Sequence, residues 1–117
     1  MAETTQLELV TPARTMVSAQ VEMVVIPGSE GLFGVLPRHA AMLANLQRGQ
    51  LDVYEGGKII NRYFIDGGVA DVTSDRVIVL AERAEDLDTV SAEELDRRAD
   101  AASEADKDFL MAAKSAL

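Results

Sequence analysis

A chain of 117 residues with a net charge of −9 has room for one ordinary domain and a small appendage. Its acidity excludes nucleic acid and anionic lipid as partners, because both demand a basic face. With no cysteine and no tryptophan but 48% apolar residues, disulfides, thiolate catalysis and cysteine-based zinc sites are excluded, and the core must be aliphatic.

The start, MAETTQLELV, has neither the basic end and long apolar run of a secretory signal nor the Arg/Ser-rich, acid-poor character of a transit peptide. An intact Met1 without a presequence points to bacteria. No apolar stretch approaches the roughly 18 residues of a membrane span, so a soluble protein of a reducing compartment is expected, with no direct membrane insertion.

TQLELV (5–10) alternates polar and apolar residues, as a strand with one wet face does. VEMVVI (21–26) and VIVLA (77–81) are almost wholly apolar and rich in β-branched residues, which predicts strands in the middle of a sandwich. GQLDVYEG (49–56) and KIINRYFID (58–66) meet at Gly56-Gly57, a hairpin signal. Asp66-Gly67-Gly68 reads as a second such turn, leading into VADVT (69–73). Ser74-Asp75 then turns the chain into the 77–81 strand. Short strands at this spacing imply an antiparallel sandwich or barrel.

After Asp86 glycine and proline vanish, and the composition becomes that of helix. Ser91 with Glu94 forms a capping-box pattern. Ala92, Leu95, Ala99 and Ala102 make a narrow stripe at helical spacing, and Phe109, Leu110, Ala113 and Leu117 make a second apolar group. Either one long helix runs through or a loop near 103–107 makes a helical hairpin; the hairpin is favoured. The predicted division is a sandwich domain over 1–85 and a helical segment over 86–117.

The stretch PGSEGLFGVLPRHA (27–40) holds glycines at 28, 31 and 34 and the sole histidine, His39. A phosphate loop requires a helix directly after it, whereas Val35-Leu36-Pro37 follows here. His39 has no second histidine or cysteine for zinc and no nucleophile elbow. The acid pairs Asp86/Asp88 and Glu93/Glu94 lack EF-hand spacing and fit helix capping. Arg97-Arg98 fit surface pairs at i,i+4 better than a nucleotide contact. Leu32-Phe33 is either a pair of core plugs or an exposed patch awaiting a partner. No catalytic constellation, cofactor site or metal site emerges. The chain reads as a binding or coupling subunit, with a free-standing small-ligand-binding sandwich as the alternative.

PGSEGLFGVLPRHAAMLANLQRGQL (27–51) and FIDGGVADVTSDRVIVLAERAEDLD (64–88) together resemble the two signatures of the epsilon subunit of the rotary proton-translocating ATP synthase, bacterial type. The resemblance covers about Leu7 to Leu95. It implies a β-sandwich of about ten strands followed by two antiparallel helices. It also implies a place in the central stalk, beside the gamma subunit and on the c-ring, where the subunit turns with the rotor and catalyses nothing. It leaves contact of the C-terminal helices with the alpha/beta head open. By position, Glu30, Gly31, Leu32 and Phe33 correspond to the ring-facing loop, and Thr11 and His39 to positions against gamma. The implied location is peripheral, on the cytoplasmic face of the bacterial inner membrane. Two departures bear on regulation. LDRRA (95–99) is one residue short of the family's Leu/Ile-Asp-x-x-Arg-Ala motif, so nucleotide binding by the tail is not implied. Only Lys107 and Lys114 follow residue 106, so strong inhibition of ATP hydrolysis is not expected.

Overall fold

The structure, a computed structural model, describes residues 3–117. Met1 and Ala2, on which the expectation of an unprocessed start rests, lie outside the described residues. Ten strands precede two helices: β1 (Thr5–Val10), β2 (Thr15–Val21), β3 (Met23–Gly28), β4 (Gly31–Val35), β5 (Met42–Asn45), β6 (Gly49–Glu55), β7 (Lys58–Asp66), β8 (Val69–Val72), β9 (Arg76–Leu80), β10 (Arg83–Asp86), α1 (Ala92–Asp100) and α2 (Glu104–Ser115). Sheet I has the order β2-β1-β9-β8-β5 and sheet II the order β10-β7-β6-β3-β4.

The sandwich is antiparallel with one exception: β1 pairs with β9 in parallel, from Gln6↔Arg76 to Val10↔Leu80. A parallel pair needs a long connection, and here most of the sandwich lies between the two strands. Alternation buries Leu7 and Leu9 of β1, Val24 and Ile26 of β3, and Val77 and Val79 of β9, all fully. Each such side chain contributes about 1.5–3 kcal/mol, and together they hold the sheets face to face.

Asp66-Gly67-Gly68 is not a hairpin. It carries the chain from β7 in sheet II to β8 in sheet I. The reason is a close backbone approach: a Cβ on Gly68 would lie 1.8 Å from the Leu80 carbonyl oxygen, and Gly68 has φ 102°. The chain can squeeze past β9 there only without a side chain.

The helices form a hairpin, and its turn falls at 101–103 rather than 103–107. Ser91 Oγ accepts from the Glu94 N–H at 3.1 Å, and Ser103 Oγ accepts from the Asp106 N–H at 3.3 Å. Ser103 is therefore an N-cap, which places Asp106 in the first turn of α2, where the helix dipole favours a carboxylate. Leu95, Ala99, Phe109, Leu110 and Ala113 are buried together with Phe64 and Leu87 in a second core. That core lies on the outer face of sheet II, and Leu117 stays outside it. Arg98 does not pair along its helix. Instead it binds Glu85 of β10 with both terminal nitrogens, at 2.8 and 2.6 Å.

Candidate partner interface

The turn between β3 and β4 is two residues long, Ser29-Glu30, closed by the pair Gly28↔Gly31. A Cβ on Gly28 would sit 2.9 Å from the Gly31 carbonyl oxygen and from the Phe33 ring, and Gly31 has φ 127°. Gly34 has neither constraint, with only Met23 sulfur near, at 3.8 Å. The turn is thus shaped by two glycines, not three. Its backbone is pinned to the end of β5 and the residues that follow it. Ser29 N–H donates to Asn45 O at 2.8 Å, Gln47 N–H to Pro27 O at 3.0 Å, and Gln47 Nε2 to Gly28 O at 2.9 Å. Leu32 is 69% exposed, whereas Phe33 is half-buried against the sandwich core. One of the two apolar residues is a plug and the other is free surface. Glu30 is also exposed.

Thr11 and His39 do not come together. Thr11 follows β1 and closes the β1–β2 turn, its N–H donating to Arg14 O at 2.9 Å. His39 lies in the loop from β4 to β5, and the preceding N–H of Arg38 donates to Ser74 O at 2.7 Å. Ser74 sits at the end of sheet I where β1 begins, so roughly 17 Å of strand separates the two sites. The ring Nδ1 of His39 lies 2.7 Å from the Ala40 carbonyl oxygen, a backbone contact with no nucleophile or carboxylate in it.

His39 ends a tight turn in which its N–H donates to Leu36 O at 3.2 Å. Pro37 takes the second position and Arg38, at φ 65°, the third, the type II pattern that favours glycine. Holding a non-glycine residue there costs about 1–2 kcal/mol. The Arg38 side chain pairs with Glu3, but the two are 78% and 59% exposed, and such a pair contributes only about 0–1 kcal/mol. The ion pair does not offset the backbone cost.

The residues that periodicity missed lie on the outer face of sheet I. Val10 pairs with Leu80 and Leu80 with Val69, so the three stand side by side; Leu43 and Ile78 flank Asp71 in the adjoining row. Leu80 is 47% exposed and Leu43 77%. VIVLA is therefore an apolar run with only one covered face, since the helices pack on the other sheet. Unbroken apolarity on a strand covered on one side was the available signal.

Where hairpin meets sandwich, charge is dense. Arg48 binds both carboxylate oxygens of Asp66 at 3.2 Å and Asp108 at 2.9 Å. Arg83 binds the same Asp66 at 3.1 Å and Asp106 at 2.6 Å. The hydrogen bonds from Arg48, and secondarily Arg83, hold the Asp66 carboxyl below its usual range, and Arg83 does the same for Asp106. Burial pushes the Tyr63 hydroxyl up. A groove of about 620 Å³ runs between Thr11, β10 and the hairpin. Arg83 and Arg98 on its walls are already bound by carboxylates. Among the described residues no three His, Asp or Glu side chains converge as a metal site.

Residues 4–87 match the family model described as ATP synthase, Delta/Epsilon chain, beta-sandwich domain. The chain is 48% identical over 115 residues to the ATP synthase epsilon chain of Rhodospirillum rubrum, covering 92% of this chain and 86% of the relative. It is 46% identical over 105 residues to that of Paramagnetospirillum magneticum, covering 90% and 79%. Among solved structures it resembles a chain of the Euglena gracilis mitochondrial ATP synthase, in an assembly that includes the c-ring. That likeness has a TM-score of 0.68 and 28% identity, over 97% of this chain and 76% of that one. The family match spans the whole sandwich and the similarity to these epsilon chains runs over nine-tenths of the sequence, so the chain belongs to the ATP synthase delta/epsilon family.

Proposed function

We propose that this chain is a non-catalytic central-stalk subunit that couples rotation of the c-ring to ATP synthesis by gripping the ring and the gamma subunit at once. The observation that carries the reading is the exposed apolar surface on the outer face of sheet I, with Leu80 and Leu43 uncovered on the face turned away from sheet II and from the helical hairpin. An isolated sandwich gains nothing from such a face, whereas a subunit clasped to a shaft buries it. Thr11 and His39 bracket that sheet end to end, which fits an interface with gamma running along its length. Leu32, presented by the pinned Gly28–Gly31 turn with Glu30 beside it, is the contact offered to the ring, and Phe33 positions it.

The proposed division into a sandwich over 1–85 and a helical segment over 86–117 is supported by the presence of two cores, with Asp86 still paired to Tyr63 as the last residue of β10. The helical unit inhibits hydrolysis weakly or not at all. Lys114, one of its two late lysines, is engaged by Asp96 within the hairpin, at 2.9 Å. No helix among the described residues is long and apolar enough to cross a membrane. The subunit sits on the cytoplasmic face of the bacterial inner membrane through its partners.

Retention of the full chain in detergent-solubilised synthase tests this. Leu80→Asp should release it from gamma, and Leu32→Asp should uncouple it from the ring, each anchor costing about 2 kcal/mol or more of binding. Unchanged occupancy and proton pumping in both variants would overturn the reading.

A further inference from the structure

We infer that Arg38 is a recognition residue, held in a strained turn so that its guanidinium meets a carboxylate on the gamma subunit. This rests on the reading above that the neighbouring His39 lies against gamma. Among the described residues Arg38 is the one non-glycine with a positive φ; the other five such positions are all glycine. The chain uses glycine wherever the backbone turns left-handed, except here.

Nothing inside the molecule accounts for the exception. The side chain is exposed, and its intramolecular partner Glu3 is exposed as well. The turn itself is rigid, with Pro37 within it, His39 N–H on Leu36 O, and Arg38 N–H on Ser74 O. A strained residue persists only where its surroundings over-determine it, and such residues concentrate at contact sites. Rigidity also lowers the ordering cost when a partner binds.

The chemistry of the partner follows from the side chain. A guanidinium offers a planar fork of donors that matches a carboxylate with two parallel hydrogen bonds. Arg76 begins the strand directly after the Ser74-Asp75 turn that anchors Arg38; it is exposed and forms no ion pair among the described residues. Arg38 and Arg76 thus bring two guanidinium groups to this end of a strongly acidic chain, beside the carboxylates of Glu3 and Asp75, and a carboxylate of a partner can take the place of Glu3 on Arg38.

The experiment measures two quantities on Arg38→Gly, Arg38→Asn and Arg38→Lys: the melting midpoint of the full chain alone and its affinity for co-expressed gamma subunit. Arg38→Gly should raise the midpoint by about 2–4 °C through release of the strain. Arg38→Gly and Arg38→Asn should both weaken gamma binding about tenfold or more, as expected for loss of a charged hydrogen-bonded contact. Arg38→Lys should retain part of the affinity, and wild-type binding should fall more steeply with salt than that of Arg38→Asn. A gain in stability with undiminished binding would overturn the inference. So would weakened binding in Arg38→Gly alone, because that would trace the effect to turn rigidity rather than to the guanidinium. A wild-type chain that fails to bind gamma would overturn the functional reading itself.

Discussion

The Arg48 guanidinium joins Asp66, at the end of β7, to Asp108, in the first turns of α2, while lying 5.8 Å over the Phe109 ring. One side chain therefore spans the two cores. Phe109 in turn stacks on Phe64 of the sandwich with ring centroids 5.5 Å apart. The hairpin is held by a small aromatic contact framed by ion pairs rather than by continuity of the main core.

Arg48→Ala should loosen the hairpin without unfolding the sandwich. Losing the partly screened ion pair with Asp108 and the cation–π contact with Phe109 costs about 1–2 kcal/mol of docking. Amide hydrogen exchange should accelerate in α1 and α2 while β1 and β9 keep their protection. Equal acceleration in both units would mean they unfold as one.

Acid should weaken the same junction. Asp66 and Asp106 have carboxyls lowered in the folded state by Arg48 and Arg83. Their contribution is complete above the ordinary aspartate range and is lost as pH falls through the lowered folded values. The arginines stay charged throughout. Hairpin protection should be flat from neutral pH to about pH 5 and decline below about pH 4. High salt at neutral pH should have a smaller effect of the same sign, by screening.

The two glycines of PGSEGLFG that look alike in sequence should respond differently to alanine. Gly28→Ala forces a Cβ against backbone and the Phe33 ring at 2.9 Å and should cost about 1–3 kcal/mol. Gly34→Ala meets only the Met23 sulfur, at an ordinary contact distance of 3.8 Å, and should be neutral or stabilising by up to about 1 kcal/mol. Thermal unfolding of the two variants side by side decides it.

Deleting residues 91–117 should leave the chain assembled in the synthase and change ATP hydrolysis little. The sandwich core does not include the helices, so circular dichroism should keep the strand signal. Phe64 would be uncovered, which should lower solubility. A large rise in hydrolysis rate would show that the hairpin inhibits after all.

Six strands announce themselves through alternation or apolar runs: β1, β3, β6, β7, β8 and β9. These are the six interior strands. The four that periodicity leaves unmarked, β2, β4, β5 and β10, are the four sheet edges. Edge strands are paired on one side and carry polar or small residues, as in TMVSAQV, MLAN and RAED, so their burial pattern is faint. The Gly56-Gly57 hairpin and the Ser91 cap were legible because each depends on a few adjacent residues.

Local chemistry thus determined the hairpin turn, the helix caps and the interior strands. Tertiary structure alone decided the sheet crossing at Gly68, the parallel meeting of β1 with β9, and the outward aim of Leu80. It also decided which member of Leu32-Phe33 faces water and that Arg38 carries strain. Each of these depends on which backbone lies against which, over separations of tens of residues, and no short-range pattern encodes that.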